Sequence, residues 1–380
     1  MHGLGAGARP AAPTMNDVPD FLRRFVTDPL TRLLMSVWRP TDTSMRRWAL
    51  ASVIGNAGIV VTGVTVRVTN SGLGCSQWPE CNGGSLVPIA HPEHSPLNQG
   101  IEFGNRLLTF VVLALGAACF VAALRLVPRR RALLRIAAVQ PGWVIVQAVW
   151  GGLLVLSDLH PAMNAGHFLL SSGLLAAAVA LYMRSMEGDG PPRRIVHRDI
   201  RNLAFVLVGA VFVLLAAGTV VTGSGPHGGD DKAPRFAFSI EDVARIHADL
   251  AYLVVGLTFA LLFALHVTDA PGRARRAALV LLAVELAQGV IGYAQYFLAI
   301  PPLLVALHAL GSTLVWIAAL RVVFLLRRRS PLQPPAPAAE LVTGPSGTAP
   351  APEVTVIASA TDRAGANGTA EYARGDLPTP

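Results

Sequence analysis

The sequence predicts an all-α membrane protein whose eight transmembrane helices form two four-helix bundles related by a parallel repeat. Of its 380 residues, 52% are hydrophobic and only 14% are charged, and the mean hydropathy is +0.50. Soluble domains carry far more charge. Apolar stretches of about 20 residues, the length that crosses a hydrocarbon core, recur along the chain. They cover residues 48–66, 103–127, 136–157, 162–183, 202–222, 244–267, 277–298 and 302–324.

Segments between the spans alternate between arginine-rich and arginine-poor. Because cytoplasmic loops carry the excess of basic residues, the arginine-rich side is predicted to be cytoplasmic in the cell membrane, with both termini on that side. The net charge of +8 then reflects topology and contact with anionic lipid, and nucleic acid is not expected as a partner. The basic segments are 128–135, 191–201, 272–276 and 327–329, with Arg46 and Arg47 before the first span.

Both ends of the chain lie outside the predicted spans. Residues 1–46 lack the apolar core and cleavage site of a signal peptide and are interpreted as a cytoplasmic tail. Residues 328–380 are rich in Pro, Ala, Thr and Gly without periodicity, which is typical of a disordered tail. Between them we predict an N-terminal half at 47–186, a cytoplasmic linker at 187–201 and a C-terminal half at 202–327.

The two halves repeat the same landmarks. The landmark Gln precedes the landmark His by 20 residues in both halves, and a polar residue precedes that His by 62 residues in the first half and 61 in the second. Each half has an even number of spans, so the halves enter the membrane in the same direction, and the landmarks lie near the outer ends. The matched pairs are 58–63 with 218–223, Asn105 with His247, Gln147 with Gln288, and His167 with His308.

His247 and His308 lie in different spans at similar outer depth. Imidazole is the commonest metal ligand among side chains. Two histidines without a neighbouring carboxylate or thiolate suit the axial positions of a haem iron better than zinc, which takes four ligands. Packing histidines are the alternative for either residue. The glycines at 151–152 and at 289 and 292 either make room for a flat macrocycle or serve helix packing.

The segment IEFGNRLLTF at 101–110 places Glu102, Asn105 and Arg106 on one helical face. Glu102 and Arg106 are spaced to form an ion pair with each other, which is the simplest reading of the segment. Arg106, together with Arg67 and Arg245, also lies near an outer span end, where arginines either pair with haem propionates or extend to lipid headgroups.

The outer loop 72–81 contains Cys75 and Cys81, separated by Trp78 and Pro79. The outer side is oxidising, and this spacing can close a small disulfide ring, for which we expect a structural role ahead of thiol exchange. Cys119 lies inside the second span and is expected to be an inert packing residue.

Together these features resemble the haem A synthase family. The most specific parts are VTGVTVRVTNSGLGCSQWPECNGG at 61–84 and EFGNR at 102–106, and the resemblance covers residues 47–326. It implies that His247 and His308 are the axial ligands of a haem B cofactor. It also implies that the first half takes haem O, with His167 beside it, and oxidises its C8 methyl to a formyl group, with Glu102 as the catalytic carboxylate.

The chain departs from the family pattern at Asn105, where many members have a histidine. An amide is a poor iron ligand, so the substrate haem would keep only His167 of the usual pair, unless His91, His94 or His160 substitutes. Asn105 would leave the iron open, and Arg106 would hold a propionate. Haem O delivered by haem O synthase is the expected partner. The electron acceptor, copper involvement and homo-oligomer formation stay open, and a dihaem cytochrome b-like electron carrier or a transporter are the alternatives.

Overall fold

A computed structural model describes residues 38–89 and 95–330, and within these ranges eight helices are long and apolar enough to cross a membrane, as predicted. The predicted tails 1–46 and 328–380 fall mostly outside the described residues. The helices are α1 (Asp42–Val68), α2 (Pro96–Arg125), α3 (Arg131–Leu156), α4 (Pro161–Ser185), α5 (Arg198–Ser224), α6 (Ile240–Val267), α7 (Gly272–Phe297) and α8 (Pro302–Leu325).

Polar caps start several helices outside the apolar stretches. Thr41 caps α1 by accepting a hydrogen bond from the Ser44 amide, and the Ser44 hydroxyl accepts one in return from the Thr41 amide. Ser95 caps α2 by accepting from the Asn98 amide, and Pro96 occupies the first turn. As a result, α2 begins well before residue 103, where its apolar run starts. The added turns extend α2 outward and carry part of the candidate site.

The two halves have matching architecture. In each half every helix packs on its sequence neighbour, and contacts between α1 and α4 and between α5 and α8 close the ring. The halves meet where α8 packs on α1 and α4, and where α4 packs on α5. The turns α3–α4 and α7–α8 also share a conformation, because Asp158 and Leu159 have φ of 52° and 60° and Ala299 and Ile300 have φ of 56° and 59°. Left-handed pairs of non-glycine residues are uncommon, so their repetition supports the internal repeat.

Small and aromatic residues fix the helix packing. The Trp150 indole donates to the Met163 carbonyl at 2.9 Å and joins α3 to α4, while the Trp316 indole donates to the Ser172 carbonyl at 2.8 Å and joins the halves. Large apolar side chains cover the outer helix faces, for example Phe110, Phe263 and Val290 at 67%, 69% and 71% exposure. Such a surface suits contact with lipid, not water.

A short antiparallel sheet lies at the arginine-rich end of the bundle. Strand β1 (Pro192–Arg194) precedes α5, and β2 (Arg327–Arg329) follows α8. We did not predict this sheet from the sequence, since β1 falls in the expected linker and β2 spans the expected boundary with the C-terminal tail.

Candidate functional site

Glu102 lies in the second turn of α2, and its carboxylate is buried. Oε2 accepts a hydrogen bond from the Cys75 amide at 2.6 Å. Oε1 accepts from Nε of Arg106 at 3.2 Å and from Nη2 at 2.7 Å. The ion pair expected from the spacing of these two residues is therefore present. The same carboxylate also contacts the cysteine loop, so it links α2 to the outer loop.

Arg106 binds the cysteine loop through backbone carbonyls. Nη1 donates to the carbonyls of Gln77 and Glu80, both at 2.9 Å, and Nη2 donates to the Cys75 carbonyl at 2.6 Å. With the two bonds to Glu102, all five guanidinium donors have protein acceptors. Arg106 thus has no donor left for a propionate in this arrangement, and its predicted contact with substrate haem stays a prediction.

The cysteine loop is a closed ring. Cys75 and Cys81 form the predicted disulfide, and both are buried. The Trp78 indole packs on Gly152 of α3 so closely that a side chain at 152 would collide with it. The space beside Gly152, which the sequence suggested for a macrocycle, is therefore filled by Trp78. Cys119 is free and buried, as predicted.

Asn105 and His167 occupy the equivalent places of the two landmark histidines of the second half. The Asn105 Oδ1 accepts a hydrogen bond from the Thr62 hydroxyl at 2.7 Å, so the amide is tied to α1. His167 lies against Gly151, where a Cβ would stand 3.4 Å from the imidazole Cε1. Gln147 holds this part of α4 by donating to Ser171 at 2.9 Å.

His247 and His308 face each other across the second bundle, as the repeat predicts. Their ring centroids are 6.4 Å apart and their planes are 70° apart. Each ring is backed by a glycine of a neighbouring helix. A Cβ at Gly218 would lie 3.1 Å from Cε1 of His247, and one at Gly292 would lie 3.7 Å from Cε1 of His308. In the first half Gly58, the counterpart of Gly218, has nothing within 4 Å of a built Cβ, consistent with the shorter Asn105 turning to Thr62.

The histidine pair fits a porphyrin iron. A metal–imidazole bond is about 2 Å long and a ring nitrogen lies about 1 Å from its centroid, so two rings flanking one iron stand roughly 6 Å apart. Nδ1 of His308, and likewise of His167, is buried without a hydrogen-bond partner among the described residues. Within that same part of the chain no three His, Cys, Asp or Glu side chains cluster for a metal ion. A porphyrin iron needs only the two protein ligands that this pair supplies.

Comparison with known proteins places this arrangement in a family. Residues 46–227 match the family model COX15-CtaA, described as cytochrome oxidase assembly protein. A protein named Heme A synthase from Azorhizobium caulinodans is 28% identical over 343 residues, which cover 74% of this chain and 93% of that protein. The chain belongs to the haem A synthase family.

Two further relatives of the haem A synthase family share part of the chain, and both are also named Heme A synthase. The Geobacillus thermodenitrificans protein is 25% identical over 43% of this chain and 50% of its own length. The Lysinibacillus sphaericus protein is 34% identical over 38% of this chain and 46% of its own length. The chain thus matches about half the length of these two relatives and nearly all of the Azorhizobium caulinodans protein.

The other predicted site residues are separate from both family histidine positions. Nε of Arg67 donates to the His227 carbonyl at 2.7 Å, which joins the outer loops of the two halves. Arg245 is exposed near the start of α6, so its predicted propionate contact, like that of Arg67, stays a prediction. His160 caps α4 by accepting from the Ala162 amide. His91 and His94 lie outside the described residues.

Sequence reasoning missed two polar contacts inside this family fold. Thr62 is the partner of Asn105, and only its place in the repeated VVTG segment hinted at a role. Glu285 lies buried in the middle of α7 and accepts from the Thr258 hydroxyl at 2.9 Å. A single acidic residue inside a span is itself a signal, because an ionisable group there is costly and usually faces the bundle interior.

Proposed function

We propose that this chain is a haem A synthase, an integral-membrane oxidoreductase that converts the C8 methyl group of haem O into a formyl group and so makes haem A for cytochrome oxidase. The observation that carries the proposal is the asymmetry between the two bundles. The second bundle pairs His247 with His308, whereas the equivalent place in the first bundle combines His167 with an asparagine and lies on the same helix as a buried carboxylate.

His247 and His308 would hold haem B by its iron, one ring on each face. Haem B, when bound, supplies a one-electron redox centre beside the substrate bundle. The protein's contribution is to fix the two rings: Gly218 and Gly292 let them lie against the neighbouring helices without a side chain between. A cofactor clamped from both sides stays bound through many turnovers, which suits a permanent group.

His167 would be the single imidazole beside haem O. Asn105 is bonded to Thr62 and is a poor metal ligand, so it leaves one face of the substrate without a strong protein ligand. A substrate must enter and leave, and one ligand instead of two lowers the barrier to release. Removing a hydrogen from a methyl group also releases a proton. Glu102 Oε1 or Oε2 would accept that proton or stabilise the positive charge that develops.

The rival functions make different demands on the same residues. A dihaem electron carrier needs two strong ligands in each half, yet the first half offers Asn105 turned toward Thr62. A transporter built from parallel repeats is expected to bind its substrate near the middle of the membrane at broken helices. Here α1 to α8 are continuous over their described lengths, and the landmark residues lie toward the outer ends.

Haem extraction tests the proposed function. The chain is expressed in a bacterium that makes haem O but has no haem A synthase of its own, and noncovalent haems are extracted from the membranes and separated by chromatography. Haem A is expected with the chain and only haems B and O with the empty vector. Haem O that persists unchanged beside a fully expressed protein would contradict the proposal.

Opening the disulfide ring should weaken activity without removing the cofactor. Cys75→Ser frees the loop segment whose amide binds Glu102, although Arg106 still holds its carbonyls, so we expect haem A formation to fall about tenfold, roughly the effect of one lost charge-assisted hydrogen bond. The haem B content of the purified protein, measured by absorbance, should stay unchanged. Cys119→Ala, which removes a buried free thiol, is the control and should retain activity. Full activity of Cys75→Ser would make the ring dispensable.

We place the protein in the cell membrane with the arginine-rich end and both termini in the cytoplasm, so that the Glu102 site lies near the outer surface. Haem O would reach it from haem O synthase through the membrane. An electron acceptor, still to be identified, would reoxidise the cofactor, and assembly into a homo-oligomer is compatible with the apolar helix faces.

A further inference from the structure

The two-stranded sheet at the arginine-rich end is built from charges that repel one another. In its antiparallel register Arg193 lies opposite Arg328, and Arg194 lies opposite Arg327. Side chains directly opposite each other in such a pair have Cβ atoms about 5 Å apart, and like charges at that distance are destabilising. A sheet with this sequence therefore needs negative charge close by.

Carboxylates neutralise only one face of the sheet. Glu187 pairs with Nε of Arg327 at 3.4 Å and with Nε of Arg329 at 3.5 Å. The same carboxylate also pairs with Arg184, and Asp189 is shared by Arg184 and Arg130. These two acids thus serve four arginines.

Crowding of positive charge is evident even on the neutralised face. Burial, together with the neighbouring Arg184 and Arg327, lowers the pKa of Arg329, although Glu187 and Asp189 oppose that shift. The acids at this end therefore leave an excess of positive charge.

The opposite face has no acid of its own. Side chains alternate along a strand, so Arg328 points away from the face that Arg327 and Arg329 present to Glu187, and Arg193 shares the face of Arg328. Both are exposed and form no ion pair within the described residues. Two adjacent guanidinium groups offer paired N–H donors, which match the oxygens of a phosphate.

The basic surface continues into a concave site. Arg194, also exposed and without an ion pair in the described part of the chain, lines an open cavity of about 350 Å³. The remaining walls include His197 before α5 and the turn around Asp269 between α6 and α7. Asp269 is the one carboxylate in this wall, so the lining keeps a positive balance. The cavity has room for a phosphate group and its glycerol.

We propose that Arg193, Arg194 and Arg328, here called the arginine surface, bind the phosphate headgroup of an anionic phospholipid. Its position favours lipid over a soluble anion. Strand β2 begins two residues after α8 ends at Leu325, so at about 3.3 Å per residue the sheet lies at the edge of the hydrocarbon core, at the depth of lipid headgroups. Basic pockets beside membrane helices are a common form of such sites. The proposal is independent of the haem chemistry.

Native mass spectrometry of the full chain in neutral detergent tests the arginine surface. The purified protein is titrated with phosphatidylglycerol or with phosphatidylcholine, and bound lipids are counted. We expect phosphatidylglycerol adducts at concentrations where phosphatidylcholine gives none. R193Q/R328Q should weaken phosphatidylglycerol binding about tenfold, since charge-assisted contacts are lost. R46Q/R47Q removes the same charge from two exposed arginines of α1 and should bind like wild type.

Thermal unfolding gives a second readout that a misfolded variant would not mimic. Because R193Q/R328Q removes a like-charged pair, its melting temperature in neutral detergent should equal or exceed that of wild type. Added phosphatidylglycerol should raise the melting temperature of wild type and of R46Q/R47Q but not of R193Q/R328Q. Equal lipid binding by both double variants would overturn the proposal. Displacement of the lipid by an equal concentration of inorganic phosphate would also overturn it, by assigning the surface to free phosphate.

Discussion

We expect His308→Ala to abolish the low-spin haem B spectrum of the purified protein. The centroids of His247 and His308 are 6.4 Å apart, which leaves room for one iron between them, and each ring is backed by a glycine. Removing either ring leaves an iron with one protein ligand, and a haem held on one face exchanges far more readily than one held on both. Absorbance spectra of oxidised and reduced protein, with total haem measured after extraction, would follow the loss.

Two matched substitutions make this result specific. His167→Ala removes the pseudo-equivalent histidine of the first bundle and should keep the haem B spectrum, because the cofactor is assigned to the other bundle. His266→Ala removes an exposed histidine at the end of α6 and should change neither spectrum nor haem content. If His308→Ala retains a normal low-spin spectrum while His167→Ala loses it, the cofactor belongs in the first bundle and the assignment is wrong.

The fold was predictable because the physics behind it is local. Each span announces itself by an apolar run longer than any soluble helix needs, and matching landmarks revealed the repeat. The facing of His247 and His308 followed from that repeat without any contact being visible in the sequence. The disulfide followed from the spacing of two cysteines on the oxidising side.

The details of the site were not predictable, because they depend on backbone atoms and on distant segments. Arg106 binds the carbonyls of Gln77 and Glu80, and a carbonyl carries no side-chain signal. Gly152 was interpreted as room for a macrocycle, but the Trp78 indole fills it from a loop more than 70 positions away. The small sheet pairs two arginine runs that local β-propensity and charge repulsion both disfavour, so only the folded bundle brings them together.

Glu102→Gln should separate catalysis from cofactor binding. Glutamine is nearly isosteric and its side-chain oxygen can still accept from the Cys75 amide, so the loop should stay in place, helped by the three carbonyls that Arg106 binds. The variant loses the negative charge and the ability to accept a proton. General-base catalysis is typically worth 10²–10⁴-fold, so haem A formation in cells supplied with haem O should fall at least about 100-fold. The haem B spectrum should remain.

Arg106→Lys distinguishes a chemical role of Glu102 from a structural role of the whole cluster. Lysine keeps a positive charge beside the carboxylate but cannot reproduce the fork that spans Cys75, Gln77 and Glu80. If Glu102 mainly organises the loop, Arg106→Lys and Glu102→Gln should lose activity to the same extent. If Glu102 handles the proton, Arg106→Lys should lose clearly less. Full activity of Glu102→Gln would exclude the catalytic role, because the carboxylate is the only property this substitution removes from a site whose hydrogen bonds it otherwise preserves.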